Sequence, residues 1–324
     1  MFTISQLQDI ISEKFSTLNF DKKPQRLYEP IEYTLASGGK RIRPALVLAA
    51  CNMFSEKIET AIPAALAFEV FHNFTLLHDD IMDNSPVRRN KETVHKKWNK
   101  NIAILSGDAM MIQAYEFLSE LPSELLKKIL PLFNKTALEV CEGQQYDMDF
   151  EKCDNVSEEK YLNMIKLKTS VLIAAALKTG AIIGGASEKN ADLLYDFGIN
   201  IGLAFQIQDD LLDTYADTSV FGKKIGNDIL TGKKTFLLIN ALQKSGIKEF
   251  DKLRNLIKNK KIEDDEKIKS VIQIYDDFNI KSLTENRIKK YHKKALQSLN
   301  LVSCENNKKQ ISAEFADMIM NRKK

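Results

Sequence analysis

Glycine and proline are scarce, with 13 and 7 among 324 residues, which disfavours a loop-rich all-β chain. Cysteine is scarcer still. Cys51, Cys141, Cys153 and Cys304 stand far apart with no Cys-x-x-Cys pair, so neither a disulfide framework nor a thiolate zinc site is expected. No run of about 18 apolar residues goes uninterrupted; Val171 to Ala186 comes closest, and Lys178 breaks it. The opening Met1-Phe2-Thr3-Ile4-Ser5-Gln6 has no basic segment leading into an apolar run, and Asp9 and Glu13 follow early, so no signal peptide is read. The formal net charge is only +3, which argues against nucleic acid as a partner. These absences predict a cytoplasmic protein without a transmembrane segment.

What is abundant favours helix. Leu, Ile, Ala, Lys and Glu dominate, and 44% of the residues are hydrophobic, enough for a sizeable core. Ile4, Leu7, Ile10, Ile11, Phe15 and Leu18 recur at helical spacing. A second helix ends at Ser37-Gly38-Gly39, and others are predicted over 44–53, 64–83, 101–121, 124–149, 158–184 and 188–216. Val87 to Lys91 reads as a basic loop and 217–234 as a mobile one, with helical pattern resuming at Phe236. Strand alternation is not evident. The expectation is one all-α domain over 1–324.

The sharpest feature is an acidic pentad that occurs twice, as Asp79-Asp80-Ile81-Met82-Asp83 and Asp209-Asp210-Leu211-Leu212-Asp213. Each closes a long apolar helical run. Carboxylates at i and i+4 share a helix face and repel by roughly 0.2–0.5 kcal/mol per pair. A divalent cation held by oxygen ligands would relieve that repulsion. Two such rims suggest metal ions clamped between two helices and bridged by an anion.

Basic groups accompany both pentads. Lys40, Arg41 and Arg43 follow the glycine turn, Arg88 and Arg89 follow the first pentad, and Lys223, Lys224, Lys233 and Lys234 follow the second. Arginine forks and flexible lysines near metal-binding carboxylates suit a diphosphate. His72 lies two helical turns before Asp79, on nearly the same face and about 10 Å deeper; it reads either as a packed core residue or as part of a second anion pocket near Lys40 and Arg43. Lys168-Thr169 interrupts an apolar helix, a costly pair unless partnered. Gln206 lies one turn before Asp210, on a helix whose Gly198 and Gly202 mark a close approach. His78, His95 and His292 show no ligand spacing.

In order, these residues resemble the trans-prenyl diphosphate synthases. The likeness spans Gly38 to Thr235 and is carried by Gly39-Lys40-Arg41-Ile42-Arg43-Pro44, Leu77-His78 with the first pentad, Arg88-Arg89, Ser106-Gly107-Asp108, Gly143-Gln144, Lys168-Thr169, Phe205-Gln206-Ile207-Gln208 with the second pentad, Gly222-Lys223, Gly226-Asn227-Asp228 and Gly232-Lys233. The resemblance implies an all-α isoprenoid-synthase-type bundle around a deep central cavity, and a homodimer. It implies three Mg²⁺ ions, two held by Asp79 and Asp83 and one by Asp209, with Asp80, Asp210 and Asp213 close by. Arg88, Lys168, Lys223 and Lys233 would grip an allylic diphosphate. Lys40, Arg43, His72 and Arg89 would hold isopentenyl diphosphate, and Thr169 and Gln206 would face the developing allylic cation. Asn90 replaces the usual glycine after the arginine pair, Phe236 stands where many relatives carry a proline-containing pair, and the first pentad spaces its second and third aspartates by two residues rather than four.

Product length is expected to follow from the residues below Asp79. Phe74 is about 7 Å down the helix and Phe71 about 12 Å, while Thr75 is small. One aromatic five residues before the pentad resembles the geranylgeranyl pattern, so a C15–C20 product leaning to C20 is expected, unless the two phenylalanines are simply core. A class I terpene cyclase and a non-catalytic modulating subunit are the alternatives. The first normally carries Asn, Ser/Thr and Glu in its second metal motif, and the second often loses acidic residues. The Lys-rich C-terminal tail reads as solvated surface.

Overall fold

The computed structural model describes residues 2–216, 226–259 and 261–321. Helix dominates them, as expected. The first six helices are α1 Ile4–Ser16, α2 Gln25–Leu35, α3 Ile42–Asn52, α4 Ile62–Met82, α5 Val94–Lys97 and α6 Lys100–Ser119. Then come α7 Ser123–Lys152, α8 Glu158–Ile165, α9 Val171–Ile183 and α10 Glu188–Tyr215. Shorter helices cover Asn227–Thr231, Phe236–Lys244 and Ile247–Lys258, and longer ones Asp264–Asp277, Ile280–Leu301 and Asn306–Met320.

Three expectations are corrected. The basic loop at Val87 to Lys91 is the tip of a small antiparallel hairpin, β1 Val87–Arg88 on β2 Lys91–Glu92. Its two turn residues, Arg89 and Asn90, have φ of 51° and 61°, the left-handed pair that a two-residue hairpin demands. Asn90 therefore does the work of the missing glycine. The predicted helix over 158–184 is interrupted by a π-turn at Lys166–Ser170, which carries Lys168 and Thr169. Lastly, the described part of the supposed mobile loop contains the helix Asn227–Thr231, closed at both ends by left-handed glycines, Gly226 and Gly232.

The chain divides into two compact units. The first comprises residues up to Thr136, Leu172–Tyr195 and Leu301–Ser312; the second comprises Ala137–Val171, Asp196–Asn300 and residues from Ala313 onward. In the first unit α4 is the central element. Ala64, Ala65 and Ala67 are fully buried, as are Phe68 and Val70. Phe68 and Phe71 both meet the edge of Phe133, at 5.4 and 5.2 Å between ring centroids. Each such aromatic pair adds roughly 0.5–1.5 kcal/mol to its area burial. By length and composition alone Glu59–Met82 could cross a bilayer, although Glu69, His72 and Asn73 interrupt its apolar run. However, 67% of its apolar window is buried, so it is the core helix of its unit. α9 packs on α3 through Gly180 and Gly184, where a Cβ would strike the carbonyls of Val47 and Cys51.

The second unit has its core around Tyr161, Ile201, Ala204, Ile207, Phe236, Tyr275 and Ile288, all 2% exposed or less. Gly143 and Gly202 allow the π-turn to seat, because a Cβ at Gly143 would meet the backbone of Lys168 and one at Gly202 would lie 2.6 Å from Ser170 Cα. A π-turn of this kind shifts the helical register by one residue and is frequent at functional sites.

Candidate functional site

The two acidic pentads have a common placement: each occupies the C-terminal turns of its helix, α4 and α10 respectively. A helix C-terminus carries partial negative charge, so carboxylates there are disfavoured and a cation is attracted. In the first unit Asp83 is exposed and Asp79 half-buried, whereas Asp80 is buried. Arg88 Nε donates to both Asp80 oxygens at 2.8 and 2.9 Å, and Arg88 Nη2 donates to Asp79 Oδ2 at 3.5 Å. Burial pushes the Asp80 carboxyl up to about 6, with Asp79 and Asp83 adding to the shift and Arg88 opposing it. Asp80 is thus turned towards an arginine, and Asp79 and Asp83, one turn apart, are the members left at the surface. Oxygen donors without nitrogen or sulfur fit Mg²⁺. Among the described residues no three acidic, histidine or cysteine side chains already converge as a metal site.

The first unit also assembles a basic pocket. The turn before α3 places Gly38, Gly39 and Arg41 at φ of 77°, 132° and 44°. Arg89 donates to Gly38 O, Gln8 donates to Lys40 O, and the Arg89 guanidinium lies where a Cβ on Gly39 would be, 2.8 Å from its Cζ. Lys40 is exposed and Arg43 half-buried. The Nε of Arg43 is buried without a hydrogen-bond partner, a donor held in reserve. Burial lowers the Arg43 guanidinium to about 10, with Glu69 opposing the shift and Arg89 adding to it. His72 is held well below its usual range by burial and then by Arg43, Arg89, Arg88 and Arg41. Of the predicted quartet, Arg43, Arg89 and His72 lie close enough to act on one another electrostatically, Arg89 also donates to the glycine turn, and Lys40 is exposed three residues before Arg43 in the chain.

In the second unit Asp210 is 3% exposed and its Oδ2 accepts the Tyr161 hydroxyl at 2.5 Å and the Phe236 N–H at 3.0 Å. Asp213 Oδ2 accepts the Asp228 N–H at 2.9 Å, tying the helix Asn227–Thr231 to α10. Burial raises the carboxyls of both Asp210 and Asp228, and Lys233 opposes the shift in each. Asp209 is half-buried. The Lys168 ammonium meets Asp147 at 2.6 Å. The Thr169 hydroxyl donates to Gln206 Oε1 at 3.1 Å, which brings these two residues together. Lys223, with Gly222 and Lys224, lies outside the described residues, as do Arg322, Lys323 and Lys324.

Below the first pentad, Phe71 is 1% exposed and Phe74 8%. Their rings are 5.4 Å apart, and Phe74 also meets the ring of His78 at 4.8 Å. Thr75 donates to the carbonyl of His72. His78, given no role from sequence, is a packing residue: its Nε2 lies 3.2 Å from Ile104 O, and only a glycine at 107 leaves room for the ring. Sequence reasoning missed Asp147, Tyr161 and Glu69. Each is one polar residue in a helix, and its partner is distant along the chain.

A family model for polyprenyl synthetases matches residues 24–275. The geranylgeranyl diphosphate synthase of Methanosarcina mazei is 45% identical over 228 residues, 70% of either chain. That of Sulfolobus acidocaldarius is 39% identical over 282 residues, 86% of this chain and 85% of the relative. A crystal structure of a geranylgeranyl pyrophosphate synthase aligns over 100% of both chains with a TM-score of 0.94 and 42% identity.

Proposed function

The chain belongs to the polyprenyl synthetase family and is a prenyltransferase of the all-α isoprenoid-synthase fold, and from that premise we propose that it condenses isopentenyl diphosphate head-to-tail with an allylic diphosphate to give a C15–C20 product, leaning to geranylgeranyl diphosphate. The observation that carries this reading is the joint presence of a carboxylate pair at a helix terminus and a separate basic pocket with an unsatisfied arginine donor in one unit. A cyclase needs the first and has no use for the second. A modulating subunit needs neither.

In this reading Asp79, Asp83 and Asp209 hold Mg²⁺, three ions in all, and the metal supplies charge neutralisation to the departing diphosphate. Arg88, Lys168, Lys233 and Lys223 are assigned to gripping an allylic diphosphate. Lys40, Arg43, His72 and Arg89 hold isopentenyl diphosphate, and Arg89 also donates to the Gly38 carbonyl. Thr169 and Gln206 present paired oxygens to the allylic cation. The double bond of isopentenyl diphosphate attacks that cation, and the proton leaves to the released diphosphate. No nucleophilic side chain is required, and apolar walls keep water from quenching the cation. Phe74 and Phe71 form the floor that limits product length, with Thr75 leaving room beside them.

We place the enzyme in the cytoplasm as a homodimer. Four free thiols suit a reducing compartment. Leu105 and Ile112, each 59% exposed and seven residues apart, form with Ile104 an apolar stripe on α6 that suits a second copy. The test is chromatography of products from isopentenyl diphosphate with C5, C10 and C15 allylic starters, with and without Mg²⁺. A C20 diphosphate made only when both substrates and metal are present is expected, and Phe74→Ala should lengthen it. Hydrocarbon release without isopentenyl diphosphate, or no turnover at all, would reject the reading.

A further inference from the structure

We propose that Arg41 and Glu69 are a positioning pair that fixes the spacing between the start of α3, where Lys40 and Arg43 flank Arg41, and the helix bearing His72. This rests on the reading of that pocket as the isopentenyl diphosphate site. Arg41 and Glu69 themselves are withdrawn from it, with side chains only 9% and 3% exposed.

Arg41 is the last residue before α3 and has left-handed backbone, φ 44° and ψ 38°. Such geometry is disfavoured for a long side chain and persists only where surroundings over-determine it. Here they do. Arg41 Nη1 donates to Glu69 Oε1 at 2.7 Å and Nη2 to Leu35 O at 2.5 Å, and its Cζ lies 4.6 Å from the centre of the Phe15 ring. Three elements, α1, α2 and α4, thus hold one guanidinium.

The other end of the pair is equally fixed. Glu69 lies three residues before His72 on α4, and Asn73 Nδ2 donates to Glu69 Oε1 at 3.0 Å and to Glu69 O at 2.8 Å. Asn73 is 1% exposed. A buried ion pair is a weak source of stability, because desolvation offsets much of its attraction, but its geometry is demanding. What it sets here is where α3 begins. Lys40 lies one residue before the strained position and Arg43, with its partnerless Nε, two residues after it. A fork that fits only one orientation therefore ties both diphosphate-binding residues to the helix turn that carries His72.

The experiment uses the full-length enzyme with Arg41→Lys, Glu69→Gln and, as a reporter on the pocket itself, Lys40→Ala. Steady-state kinetics yield kcat and separate KM values for isopentenyl diphosphate and the allylic substrate, and calorimetry measures isopentenyl diphosphate binding. Arg41→Lys keeps the charge but loses the fork; Glu69→Gln keeps the shape but loses the charge. Both should raise KM for isopentenyl diphosphate about tenfold or more and leave the allylic KM within about twofold. The same weakening should appear in the calorimetry. If Lys40→Ala raises the isopentenyl diphosphate KM and the pair variants do not, the positioning role is wrong and the pocket stands. If Lys40→Ala has no effect either, the pocket assignment fails and takes the proposal with it. A parallel rise in both KM values, or a fall in melting temperature alone, would mean the pair only supports the fold, and that too overturns the proposal. Should Arg41→Lys fail to fold, the near-isosteric Glu69→Gln decides.

Discussion

His72 shows how much a single side chain's surroundings decide. Burial and four arginines, at positions 41, 43, 88 and 89, hold its imidazole neutral well below the usual pH. Its folded pKa lies below its unfolded value near 6.5, so the stability it contributes is present above that pH and is lost as pH falls through it towards the folded value. His72→Gln should therefore make melting temperature less sensitive to acid below about 6.5. A bound diphosphate would offset the arginines, so His72 should take up a proton when isopentenyl diphosphate binds near that pH. Calorimetry in two buffers of different ionisation enthalpy measures that uptake; identical heats in both would refute it. Asp80 runs the opposite way. Its carboxyl is raised to about 6 by burial, so its contribution is full below the unfolded value of 3.8 and is lost as pH rises through 6.

At the scale of elements, the π-turn at Lys166–Ser170 matters most. It directs Lys168 to Asp147 and Thr169 to Gln206 from adjacent positions. It can do so because two neighbouring helices carry glycine at the point of contact. Gly143→Ala or Gly202→Ala should push the turn outward. Overpacking of this sort costs about 1–3 kcal/mol, and a circular-dichroism melt should show it. The change should also lower kcat, because Lys168 and Thr169 move together; full activity in either variant would show that the turn tolerates displacement. The helices themselves were legible in the sequence, since apolar spacing and Gly or Pro punctuation mark α1, α4 and α10 within a few residues. The two pentads and the basic clusters were legible too. The π-turn was not, because one extra residue in a turn leaves no trace in hydrophobic periodicity. Nor were the hairpin at Val87 to Glu92, whose strands are two residues long, and the withdrawal of Asp80 and Asp210 to Arg88 and Tyr161. In each pentad the middle aspartate looks like its neighbours on paper; only the position of distant partners separates it from them.

At the scale of the whole molecule, exposed apolar surface bears on assembly. An exposed Leu105–Ile112 stripe on a chain of this family predicts that Ile112→Glu paired with Leu105→Glu yields monomers in analytical ultracentrifugation, whereas the parent sediments as a dimer. A parent that sediments as a monomer at micromolar concentration would remove the prediction. The left-handed turn at Arg89 and Asn90 sends two consecutive arginines to different destinations, one to the carboxylates of Asp79 and Asp80 and the other to the carbonyl of Gly38. Although it looks like a solvent-facing loop, it is a poor place to graft a tag or a fluorophore. Lengthening it by even one residue would misdirect both arginines at once.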